Sequence, residues 1–139
     1  MLEISWNKYR DTISMDEKNI VLYERHDGVR FVLERSLQKF KQKINIYSSH
    51  WKNDTKQMIA NENVDLLITE LSRINPDGLE ISHYARKLDP DLKIMWITVL
   101  GCHNFCDQKA KLGNICCFEK PLEINEFRQD VLEALDIDI

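Results

Sequence analysis

The chain has 139 residues, 43% of them hydrophobic and 30% charged, which is enough for one packed core and too little for two ordinary domains. Its net charge of −4, from 19 basic and 23 acidic residues, supplies no positive field, so direct nucleic-acid binding is not expected. No apolar run reaches the roughly 20 residues of a membrane span, and Glu3, Asn7, Lys8 and Arg10 interrupt the opening stretch, so neither a membrane segment nor a signal peptide is predicted. A cytoplasmic, soluble protein is the expectation.

Residues 1–18 show no regular pattern and read as an N-terminal extension or linker. From residue 19 to 139 short apolar runs alternate with segments of helical period, the mark of a βα-repeating parallel sheet. Strands are predicted at 20–23, 44–47, 64–69, 94–97 and 115–118, each the length of a strand buried on both faces. The first helix carries Val29, Val32, Leu33, Leu37 and Phe40 as one stripe facing the sheet. A second follows Asp54, read as its N-cap, with Met58 and Ile59 inward. A third runs through Leu79, Ile81, Ala85 and Leu88 and stops near Asp89, because Pro90 restricts the residue before it. A fourth is placed near 104–112, and the last from Glu123 to about Leu135, with Ile124, Phe127, Val131 and Leu135 inward. The fold class is therefore α/β, a doubly wound five-stranded parallel sheet of flavodoxin-like architecture.

Open sheets of this kind hold their functional residues at the carboxyl ends of the strands. Those ends deliver Glu24 and Arg25 from the first strand, Glu70 from the third, Thr98 from the fourth, and Lys120 with Pro121 from the fifth. The run Leu66-Leu67-Ile68-Thr69-Glu70, followed by Pro76-Asp77-Gly78-Leu79-Glu80, resembles the third strand, acceptor and loop of the response-regulator receiver family, the chemotaxis-regulator-like domains of two-component systems. Ile97-Thr98, Gly113 and Glu119-Lys120-Pro121 fall at that family's spacings, and the resemblance covers roughly residues 19–135.

The resemblance implies that Glu70 stands where the family has an Asp that accepts a phosphoryl group, with Thr98 and Lys120 at the positions that contact that group. Two acids at the end of the first strand help such domains hold Mg²⁺; Glu24 keeps one of them, while Arg25 replaces the other and His26 follows. Val99 stands where a small switch residue is usual, and Cys117 at the aromatic switch position. A Glu is one methylene longer than Asp, which displaces its oxygen from the line of attack that phosphoryl transfer requires. Formal charges of Glu24, Glu70, Arg25 and Lys120 sum to zero, and the Arg25 guanidinium is expected to stand in for the metal. The expectation is a pseudo-receiver: no enzyme, no metal and no cofactor, acting in signal transduction as a phosphorylation-independent interaction module. Its partners would be a signalling protein or an output domain. Lys109 and Lys111 on the fourth helix and Glu126, Asp130 and Glu133 on the fifth also suit a homodimer through that surface. The alternatives are a phosphorylatable receiver of a two-component system, such as a phosphorelay, and a flavodoxin-like ligand-binding domain.

The remaining candidates read as structural. Cys102, His103, Cys106, Cys116 and Cys117 lack paired zinc-ligand spacings, and Cys116 and Cys117 read as small buried side chains of the last strand rather than a redox pair. His26, His50 and His83 read as surface or loop residues and Trp96 as core. Trp6 and Trp51 are not interleaved with a basic cluster, and no Gly-rich phosphate loop occurs.

Overall fold

A computed structural model describes residues 17–40 and 43–137. Residues 1–16 of the expected extension, Trp6 among them, and the last two residues of the expected domain lie outside the described residues. The first strand begins at Lys18, two residues before the predicted start.

Five strands, β1 (Lys18–Tyr23), β2 (Ile44–Ser49), β3 (Leu66–Leu71), β4 (Lys93–Thr98) and β5 (Ile115–Glu119), alternate with five helices. The helices are α1 (Asp27–Leu37), α2 (Lys52–Asn61), α3 (Asp77–Leu88), α4 (Cys106–Leu112) and α5 (Ile124–Ala134). All neighbouring strand pairs are parallel, in the order β2-β1-β3-β4-β5, so the fold class matches the prediction.

Strand side chains alternate between two cores because the sheet is covered on both sides. Ile20, Leu22, Ile68, Met95 and Ile97 pack with Leu33 and Leu37 of α1 and Phe127, Val131 and Leu135 of the α5 region. Val21, Tyr23, Leu67, Ile94 and Trp96 pack on the other side with Ile59 of α2, Ile81 and Ala85 of α3, and Phe105 and Leu112. Trp96 is fully buried, as expected, and its indole N–H donates to the Ser82 hydroxyl at 2.9 Å, which satisfies the polar handle of the largest core side chain.

Several helical details depart from the sequence reading. Val32 is exposed rather than inward, because α1 turns Leu33 and Leu37 to the sheet and leaves Val32 on its flank; Phe31 beside it is exposed too. Asp54 is not an N-cap: α2 starts at Lys52, and the chain reversal before it is set by Ser49, whose hydroxyl accepts the Trp51 N–H at 2.9 Å. Leu88 is exposed at the last turn of α3, and Ile124 at the first turn of α5 is only half-buried. α3 does end at Leu88 with Asp89 as its C-cap, as Pro90 required. The fourth helix is a short 3-10 turn, Cys102–Phe105, running into the two turns of α4.

Two devices fix the ends of the sheet. At the amino ends of β4 and β5, the Arg86 guanidinium donates to the carbonyls of Leu92, Leu112 and Gly113 at 2.6–2.9 Å, joining α3 to both strands and to the turn at Gly113, whose φ of +69° suits glycine. At the carboxyl ends, Gly78 opens α3 directly against the Glu70 carbonyl: a Cβ there would lie 2.0 Å from that oxygen. Gly78→Ala should therefore cost about 1–3 kcal/mol or more, since backbone must move to admit a methyl group. Urea denaturation of the two proteins measures it, and an unchanged midpoint would mean that α3 is free to shift away from β3.

Candidate functional site

Five residues singled out by sequence arrive at one edge of the sheet. Glu24 follows β1, with Arg25 next to it; Glu70 is the penultimate residue of β3, Thr98 the last of β4, and Lys120 follows β5. Parallel pairing in register brings these ends level, which is why residues up to 96 positions apart meet.

Glu24 is the anchor. It is 1% exposed, and its Oε1 accepts from Lys120 Nζ at 2.6 Å while its Oε2 accepts from the His26 backbone N–H at 3.1 Å. A buried carboxylate needs such partners for every lone pair it keeps from water. Glu70 lies beside it. Its Oε1 accepts from the Arg25 backbone N–H at 3.2 Å, and its Oε2 stands 3.9 Å from Lys120 Nζ, beyond a direct hydrogen bond.

Burial and the neighbouring carboxylate disfavour ionising both acids at once. Burial first, then the hydrogen bond and negative charge of Glu24, push Glu70 up to about 7. Burial also acts to raise Glu24, but the hydrogen bonds from Glu70, Lys120 and His26 outweigh it and hold Glu24 below the ordinary carboxylate range. With Glu70 protonated, Glu24 and Lys120 form a neutral pair. With Glu70 ionised the cluster carries one net negative charge.

Arg25 does not do what its position suggested. Its side chain is exposed, and the described residues offer its guanidinium neither a hydrogen bond nor an ion pair; only its backbone N–H reaches Glu70. The physical reason is direction: β1 ends at Tyr23, and the chain turns over Glu24 so that the amides of residues 25 and 26 point into the cluster while the Arg25 side chain leaves it. Thr98 is buried at the site's edge, but its hydroxyl accepts from the Leu100 N–H at 3.1 Å and shapes the following turn. Its carbonyl accepts the Lys120 N–H at 2.7 Å, which ties β5 to β4 just where the lysine departs. Val99 is 72% exposed.

Sequence reasoning missed Arg30. Its guanidinium donates to the Glu24 carbonyl at 2.8 Å and to Asp27 Oδ1 at 2.7 Å, closing the β1–α1 turn from outside. The signal was Asp27 and Arg30 three apart on a helix start. His26, read as a loop residue, is the N-cap of α1: its Nδ1 accepts the Val29 N–H at 3.2 Å. Tyr23 was counted only as strand, yet its hydroxyl donates to Asp77 Oδ2 at 3.3 Å, and burial raises its pKa to about 12.

The cysteine reading is corrected. Cys116 is exposed and Cys117 half-buried, because β5 is an edge strand, and Cys117 is joined to Cys102 by a disulfide.

These features do not fit a Mg²⁺ ion of the receiver type. Such an ion needs several free oxygen ligands. Here each oxygen of Glu24 already accepts a hydrogen bond, burial and Glu24 raise Glu70 to about 7, and a cation replaces the second acid.

No family model matches the sequence. It is 34% identical over 83 residues to the response regulator receiver protein CpdR of Brucella abortus, covering 58% of this chain and 66% of that one. It is 23% identical over 121 residues to the response regulator protein PilR of Pseudomonas aeruginosa, where 87% of this chain spans only 27% of the relative. It is also 22% identical over 123 residues to sporulation initiation phosphotransferase F of Bacillus subtilis, covering 88% and 97% of the two chains. The fold agrees: the non-phosphorylated HemR receiver domain from Leptospira biflexa superposes with a TM-score of 0.75 at 18% identity, over 88% of this chain and 98% of that one. The chain is thus similar in sequence to receiver proteins of response regulators and shares the fold of receiver domains.

Two outcomes follow. Lys120→Met leaves Glu24 buried without its cation and should cost about 3 kcal/mol, whereas Arg25→Ala, which keeps the backbone amide, should stay within about 0.5 kcal/mol; urea melts at neutral pH separate them. The raised Glu70 has a definite sign: between its ordinary 4.5 and about 7 the folded state holds a proton that the unfolded chain has released, so stability falls as pH rises through that window. Glu70→Gln, which imitates the protonated form, should therefore be more stable than the wild type by about 1–2 kcal/mol at pH 8 and about equal to it at pH 5. A gap that does not change with pH would mean that Glu70 is not raised in the folded state.

Proposed function

We propose that this chain is a pseudo-receiver: a non-enzymatic module of two-component signalling that works by protein contact and without aspartyl phosphorylation. The receiver unit is taken to run from residue 19 to 139, with 1–18 as an extension. Glu70 is the acceptor equivalent; Glu24, Thr98 and Lys120, with Arg25 through its backbone amide, form its pocket; Val99 and Cys117 occupy the switch positions.

The observation that carries this reading is the closed Glu24–Glu70–Lys120 cluster. In a phosphorylatable pocket the lysine and the metal await an incoming phosphoryl group. Here Lys120 is committed to Glu24 at 2.6 Å and two backbone amides are committed to the carboxylates, so the groups that would stabilise transferring charge are already spent on internal partners. Burial and the neighbouring Glu24 raise Glu70 to about 7, so a smaller share of it is ionised near neutral pH than of an ordinary carboxylate.

A partner surface lies next to the cluster. Val29, Val32, Val99, Leu122 and Ile124 line an apolar cleft of about 500 Å³ that has Lys120 on its wall. Val32 and Val99 are largely exposed, as apolar area that a signalling protein or an output domain would cover. Lys109 and Lys111 on α4 and Glu126 and Glu133 on α5 are exposed and leave the homodimer reading open to test. Among the described residues no helix is long and apolar enough to cross a membrane. A cytoplasmic site of action without nucleic-acid contact accords with the net charge of −4.

The test is intact-mass measurement after incubation with acetyl phosphate and Mg²⁺. The wild type should stay unmodified, and so should Glu70→Asp, because the shorter acid still meets an occupied Glu24 and no second acid. Glu70→Asp combined with Arg25→Asp should gain a detectable adduct. A stoichiometric phosphate adduct on the wild type would instead establish the phosphorylatable receiver.

A further inference from the structure

We propose that Cys102 and Cys117 form a reversible oxidation site, served by low-molecular-weight disulfides, that fastens the loop after β4 to β5 beside the Glu24–Glu70–Lys120 cluster. This holds whether or not the chain takes phosphate.

Placement carries the argument. Cys102 opens the 3-10 turn four residues after Thr98, and Cys117 sits in β5 three residues before Lys120. Their Cα atoms are 5.9 Å apart, within the range a disulfide spans, although 15 positions of sequence separate them. The pairing is made by the β4–β5 register, which sets Trp96 opposite Cys117 and leaves the chain after Thr98 to fold back over the edge strand. Both residues are half-exposed, so a small disulfide in solution can reach them, unlike a cystine sealed in a core. Cys106 and Cys116 are more exposed but free, so proximity rather than exposure selects the pair.

The bridge completes a set of ties. The Cys102 N–H donates to Glu119 Oε1 at 3.1 Å, and the Lys120 N–H donates to the Thr98 carbonyl at 2.7 Å. Together they enclose residues 99–101, where Val99 projects 72% exposed into the wall of the apolar cleft. With the thiols reduced, a rim-exposed hydrogen bond to a glutamate is the only direct tie described between Cys102 and β5, so the loop gains freedom. With the bridge formed, the Val99 wall is fixed.

The chemistry balances by thiol–disulfide exchange. One protein thiolate attacks a sulfur of oxidised glutathione, forming a mixed disulfide and releasing one glutathione thiolate. The second protein thiolate attacks the protein-side sulfur and releases the other. Two protein thiols are oxidised, one glutathione disulfide is reduced, and the two protons end on the two released glutathiones.

The test uses the full chain carrying Cys106→Ser and Cys116→Ser, which leaves only the pair in question. After oxidised glutathione, its intact mass should fall by the two hydrogens lost and maleimide should add nothing. After dithiothreitol, two maleimides should add. Hydrogen exchange of amides 99–105 should slow about tenfold on oxidation. Persistent glutathione adducts or two reactive thiols in oxidising buffer would overturn the pairing, and equal exchange rates in the two states would overturn the tether. Should the double variant fold poorly, fragmentation of the non-reduced tryptic digest of the wild type decides: a Cys102–Cys117 link supports the site, and a link through Cys106 or Cys116 overturns it.

Discussion

The buried carboxylate of Glu24 constrains everything around it. An acid 1% exposed is tolerated only if its charge is matched and its lone pairs are filled, and those partners come from three separate stretches of chain. Lys120 must reach it from the end of β5, the amide of His26 must turn inward from the β1–α1 loop, and Glu70 must sit beside it from β3. Each demand fixes a strand end, and the strand ends fix the site.

Compactness has a chemical consequence. Two carboxyl groups and one ammonium in a partly buried space raise Glu70 and lower Glu24, because both acids cannot ionise cheaply beside each other. The backbone amides of residues 25 and 26 each donate to one of the two carboxylates. Arg25, which sequence logic cast as the substitute cation, contributes through its main chain alone. The cluster is thus self-satisfied, while the apolar cleft and the exposed Val32 and Val99 next to it are not.

The amino acid sequence determined the fold class and which residues stand at the carboxyl ends of the strands. Alternating apolar runs and helical stripes placed all five strands, and Glu24, Glu70, Thr98 and Lys120 were legible because strand-end positions follow from strand positions. Helix faces were less legible. Leu33 and Val32 are equally apolar in composition, and only the docking angle of α1 decides which is buried. Start signals failed where a loop residue competed: Ser49 sets the turn into α2, so the cap-like Asp54 falls inside the helix.

Tertiary structure alone decided the direction of side chains at the site and the partners drawn from distant sequence. Arg25 leaves the cluster, because a turn after a strand can send either the side chain or the amide inward, and one-dimensional spacing does not distinguish them. Arg30 closes the turn over Glu24 by reaching a carbonyl, a partner every residue offers and no motif marks. Cys102 and Cys117 carry no spacing signature, and they meet only because β4 and β5 lie in register with the loop folded back between them. Sequence periodicity records which residues are apolar and in what order; the meeting of groups far apart in the chain is set by strand pairing and packing, which exist only once the sheet has formed.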